Sequence, residues 1–91
     1  MDKEKEMTER NIELSAEFSR YLFEHPEVED RIPMDAEIIL LPEFDKDLKE
    51  FNLTLGRGLE ERGRNVVYIL IKGLRPKTLS RIDTIELKSV A

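Results

Sequence analysis

Cysteine, tryptophan and glutamine are all missing from this chain of 91 residues, and histidine occurs once. Without cysteine there is no disulfide and no thiolate zinc site. A single histidine, His25, rules out a histidine-rich metal site. No run approaches the ~18 consecutive apolar residues that a membrane-crossing helix needs. The first residues, Met1-Asp2-Lys3-Glu4-Lys5-Glu6, mix both charges with no apolar stretch behind them, so they do not read as a signal peptide. A cytoplasmic location is the expectation. No Gly-x-Ser-x-Gly elbow surrounds Ser15, Ser19, Ser80 or Ser89, and no glycine-rich phosphate loop follows a strand.

Charge is abundant. Charged residues make up 38% of the chain, a thermophile-like composition when few amides accompany them. The net charge of −5 hides an asymmetry. Residues 1–50 hold 16 acids and 7 bases, whereas residues 51–91 hold 4 acids and 8 bases. Between Arg62 and Ile82 there is no acid, and the bases there are Arg62, Arg64, Lys72, Arg75, Lys77 and Arg81. Overall acidity argues against a general nucleic-acid binder, while the local run keeps a patch of that kind open.

The length fits one small domain, which buries only ~60–65% of the surface its unfolded chain exposes. Residues 1–8 read as a charged, disordered lead-in, and residues 9–91 as the domain. Leu14, Phe18, Tyr21 and Leu22 recur at helical spacing and predict a helix from about Glu9 to Glu24. Glu6 can pair with Arg10, and Glu17 with Arg20. Pro26 stops that helix and starts a second of one or two turns, which Val28 and Ile32 anchor. Pro33-Met34-Asp35 forms a turn.

Ala36 to Leu41 and Val66 to Ile71 are apolar runs that barely alternate, as parallel strands do. Between them, Asp45 caps a helix reaching Arg62, with Leu48, Phe51, Leu55 and Leu59 as its stripe and Gly63 just past its end. Gly56 and Gly58 inside the helix cost ~1 kcal/mol each relative to alanine, so close packing against the sheet or a second copy is expected. The pattern predicts an α/β fold. It is a two-layer or three-layer domain built on a right-handed β-α-β unit, with an N-terminal helix over the uncovered side of the sheet. Arg81 to Val90 alternates weakly and reads as a third, C-terminal edge strand, with an extended arm on a partner subunit as the alternative.

Three constellations bear on chemistry. Glu43, Asp45 and Asp47 cluster where an α/β sheet holds its ligands, and could bind a divalent ion such as Mg²⁺. The preferred reading is that Asp45 caps the helix, Asp47 answers its dipole and Glu43 is solvated. His25 suits a helix junction better than a general base. Lys72, Arg75, Lys77 and Arg81 form a candidate patch for phosphate, nucleic acid or an acidic protein surface, with pairing to the acidic half, within one subunit or across a dimer, as the preferred reading. No catalytic residue and no cofactor is assigned.

Asn11-Ile12-Glu13-Leu14-Ser15, then Phe18 to Glu27 with His25-Pro26 inside it, then Ile32-Pro33, Pro42-Glu43 and Val66-Val67-Tyr68, resemble a small uncharacterised prokaryotic family, a domain of unknown function. The resemblance covers most of the chain after residue 10. It implies a microbial, cytoplasmic setting and supplies no activity, cofactor or site residue. The function expected is a non-catalytic interaction or regulatory protein acting as a homodimer. The alternative is a nucleic-acid-associated accessory protein using residues 72–81, ahead of a metal-dependent enzyme. No membrane partner is expected.

Overall fold

The computed structural model describes residues 2–77 and 80–89. Its elements run α1 (Lys3–Glu24), α2 (Pro26–Glu29), β1 (Glu37–Pro42), α3 (Lys46–Glu61) and β2 (Val66–Ile71). This is the predicted mixed α/β fold, with a strand-helix-strand unit behind a long first helix. Among the described residues no helix is long and apolar enough to cross a membrane.

The first helix starts at Lys3 instead of near Glu9, so residues 3–8 are helical and not a disordered lead-in. Met1 lies outside the described residues. Asp2 causes the early start: its carboxylate accepts from the backbone N–H of Glu4 at 3.0 Å and of Lys5 at 3.3 Å. Glu4 and Glu6 then place negative charge in the first turn. Met7, at 1% exposure, begins the buried stripe that continues through Leu14. At the far end His25 closes α1, its N–H reaching the carbonyls of Tyr21 and Leu22, and Pro26 opens α2.

Asp45 caps α3 by accepting from the N–H of Leu48. The helix ends in a Schellman arrangement, with the Gly63 N–H on the Glu60 carbonyl and the Arg64 N–H on that of Leu59. Gly63 takes φ 80°, which a side chain would oppose. The buried line of α3 is Leu48, Asn52 and Gly56, with Phe51 and Leu59 half-buried and Leu55 exposed. The stripe read from the sequence was therefore rotated, because an amide and a glycine hold the central positions.

One core cluster forms: Met7, Leu14, Leu40 and Leu48 are buried, and Phe18, Phe51, Ile69 and Ile71 pack against them. The N-terminal helix thus shares the core of the crossover helix and does not build another. Gly56 of α3 lies against the Tyr68 side chain of β2. A Cβ placed there would lie 2.6 Å from the Tyr68 ring and its hydroxyl. Gly58, in contrast, meets nothing within 4 Å. Gly56→Ala is expected to displace the ring and cost about 1–2 kcal/mol net of the propensity gain. In a Tyr68→Ala background the same change should stabilise by about 1 kcal/mol. A denaturant double-mutant cycle checks this, and equal effects in both backgrounds would refute it.

The two strands are parallel, in the register Glu37↔Val66 through Pro42↔Ile71. The ladder begins with the Glu37 N–H on the Asn65 carbonyl and ends with the Glu43 N–H on that of Ile71. By alternation, Ile38, Leu40 and Pro42 point their backbone groups out of the far side of β1, and Val66, Tyr68 and Leu70 out of the far side of β2. These edges differ. On β1, Asn52 occupies the Leu40 carbonyl, the Asp45 N–H reaches the Pro42 carbonyl, and Pro42 has no N–H. On β2, among the described residues, no hydrogen bond reaches the outward groups of Val66, Tyr68 or Leu70.

The predicted third strand is absent among the described residues. Arg81 to Ser89 is irregular and exposed, and Val90 lies outside the described residues. The radius of gyration is 18.4 Å, against about 12 Å for a compact chain of this length.

Candidate functional site

The acidic loop after β1 is used structurally. Arg10 Nη1 lies 3.2 Å from both carboxylate oxygens of Asp45, while its Nη2 pairs with Glu6. Partial loss of water works against the charge on Arg10, but hydrogen bonds and attraction from Glu6 and Asp45 outweigh it and raise the guanidinium pKa. Asp45 thus holds a helix end and an arginine of α1 together. Glu43 and Asp47 are exposed, and no group of three metal-ligating side chains comes together among the described residues. The candidate Mg²⁺ set Glu43, Asp45 and Asp47 is not brought together.

His25 stacks on Tyr21, ring centroids 4.2 Å apart, and its Nδ1 sits 3.3 Å from a Glu27 oxygen. Both partners belong to the junction of α1 and α2, in keeping with its place as a cap.

The basic segment divides as strand geometry requires. Arg64 pairs with Glu37 at the amino ends of the strands, where Asn65 also donates to Asp35. Lys72, Arg75, Lys77 and Arg81 follow the carboxyl end of β2, all exposed. Among the described residues none of these four forms an ion pair within the chain, where the pairing of the basic run with the acidic half is made by Arg64.

Two features escaped the sequence reading. One is an amide knot. Asn52, 3% exposed, donates to the Leu40 carbonyl and exchanges reciprocal hydrogen bonds with Asn11, each at 2.8 Å. It joins α1, α3 and the edge of β1 through one side chain. The other is an open groove of about 590 Å³ between α1 and α3, lined by Ile12, Phe51 and Leu55 with Thr8, Asn11 and Ser15. Ile12 lies off the apolar stripe of α1, and that displacement was its only signal.

Tyr68 donates its hydroxyl to Glu60 at 2.9 Å. Loss of water around the phenol, then the hydrogen bond and the charge of Glu60, raise its pKa above the usual tyrosine value, and Arg57 opposes them. The neutral phenol is the form the fold favours. Its contribution is therefore complete below pH ~10 and is lost as pH rises through the raised value. In a Tyr21→Phe variant, absorbance at 295 nm should titrate above pH ~10. A midpoint at or below that value would show that Glu60 does not hold the phenol in solution.

A model described as a family of unknown function, DUF5647, matches residues 6–85. Neither the curated proteins nor the solved structures contain a match.

Proposed function

Because the chain belongs to DUF5647, a family of unknown function, its surface has to speak for it, and we propose a non-catalytic interaction or regulatory protein that works as a homodimer. One observation carries this reading. The chain exposes 8114 Å², whereas a compact chain of 10.7 kDa exposes about 5,500 Å². The surplus of roughly 2,600 Å² is more than the ~800 Å² each partner gives to an ordinary interface. The exposed side chains include the large apolar ones of Ile12, Phe23, Leu55, Leu70, Ile82, Ile85 and Leu87. A prokaryotic, cytoplasmic setting and a thermophile-type composition complete the proposal.

Light scattering after size exclusion should give the mass of two chains at tens of micromolar. A single-chain mass at that concentration overturns the reading.

A second reading rests on the four exposed bases after β2. Lys72, Arg75, Lys77 and Arg81 would contact phosphates, so binding to mixed-sequence DNA or RNA should weaken steeply with salt. The double change Arg75→Glu and Lys77→Glu should abolish it. No binding at low salt removes this reading.

A further inference from the structure

We infer that the outer edge of β2 is a receptor for the C-terminal segment of a second copy of this chain, residues 82–88, which adds there as an antiparallel third strand. The inference rests on the homodimer reading and names its interface.

The edge supplies half of the case. Parallel two-stranded sheets seldom stand alone, because each open edge is a row of unmet donors and acceptors. Here the carboxyl half of β1 is blocked by Pro42 and by the Asn52 amide, leaving only Ile38 open, while β2 leaves the N–H and C=O of Val66, Tyr68 and Leu70 free among the described residues. Natural edges are usually protected by a charge, a proline or a bulge. Val66-Val67-Tyr68-Ile69-Leu70-Ile71 contains no charge and no proline, and it pairs with β1 in unbroken register.

The arm supplies the other half. Ile82, Ile85 and Leu87 are 67%, 70% and 92% exposed, so nothing in their own chain shields them. Ile85 and Leu87 fall on one side of an extended chain, and Thr84, Glu86 and Lys88 on the other. A strand covered on one face has that alternation. Placed beside β2, Ile85 and Leu87 would widen the face that carries Leu40, Ile69 and Ile71, and the polar set would meet water. Glu86 and Lys88 would then give the sheet the charged border that β2 lacks.

A second copy is the donor because the arm does not turn back on its own sheet. The longest dimension of the chain is 68 Å, twice the ~33 Å of a 22-residue helix, and the segment is irregular and exposed and joins neither strand of the sheet. Exchange between two copies satisfies both edges and both arms with one symmetric operation.

The absence of cysteine makes the test direct. Ile69→Cys protein is mixed with Asp83→Cys, Ile85→Cys or Leu87→Cys protein, positions that share one face, under mild oxidation and run on a non-reducing gel. One of the three mixtures should cross-link at least tenfold faster than the others, the cross-linked species carrying one chain of each kind. Chains lacking residues 81–91 should elute as folded monomers, with the helical circular dichroism retained. A truncated chain that still dimerises overturns the arm as the interface and leaves the homodimer reading standing. A monomeric full chain overturns both. A double variant, Ile69→Cys with Ile85→Cys, that closes only within one chain shows the arm pairing in cis and overturns the exchange.

Discussion

Asn52→Ala is expected to destabilise the protein by about 3 kcal/mol, the largest effect of any polar substitution. The side chain is buried and makes three hydrogen bonds, one to Leu40 and two with Asn11. Truncation leaves the buried Leu40 carbonyl without its partner and strips the half-buried Asn11 amide of both its bonds to Asn52. An unmet buried group costs about 1–3 kcal/mol, while a neutral hydrogen bond adds only about 1 kcal/mol when both partners are present. The unmet groups therefore dominate. A domain of this length has roughly 5–14 kcal/mol of stability in all, so the loss is a large share. Asn11→Ala should cost less, because Asn52 keeps its bond to Leu40. In the double variant the two costs should fall short of their sum by at least about 0.5 kcal/mol. Urea unfolding of the four chains gives the cycle, and strict additivity would mean the amides do not act as a pair.

Met7→Ala should cost about 3 kcal/mol. The side chain is among the two largest that are fully buried, and it touches the same cluster as Leu14, Leu40 and Leu48. Large-to-small changes in a core lose both the transfer energy of the removed atoms and the contacts around the space they leave. The substitution also tests the first two turns of α1. An effect below about 0.5 kcal/mol, the level of ordinary surface changes, would place residues 3–8 outside the cooperative unit. Urea midpoints at constant m-value decide between these outcomes.

The strands, the crossover helix and its caps were legible because each carries a local signal. Pro26, Asp45 and Gly63 stand where chain geometry requires them, and two apolar runs flank one amphipathic segment. The start of α1 was legible in principle: Asp2 precedes acids at positions 4 and 6, and Met7 lies one helical turn before Asn11. With Met7 the sole apolar residue from Asp2 to Thr8, no periodicity revealed it. Asn52 could not be read. An amide within a stripe of leucines looks like an interruption, and its partner lies 41 positions away, beyond any local rule. The same distance problem hid Arg10, which reaches Asp45 across 35 positions. Leu55 was misplaced for a related reason. Periodicity counts apolar residues, whereas the helix turned its amide and its glycine inward because Leu40 and Tyr68 were there to meet them.

The blocked half of β1 has a consequence for where another chain can join. A sheet that is sticky on both sides grows by addition at either end, and identical chains can then extend it into a fibre. Here one side is terminated by a proline without a donor and by a carbonyl already occupied. In the proposed arm exchange, the carboxyl half of β1 therefore offers no second docking edge, and pairing is directed to β2. The Asn52 amide would then act as an edge guard as well as a fastener. Losing it would loosen the fold and at the same moment free the Leu40 carbonyl on that edge.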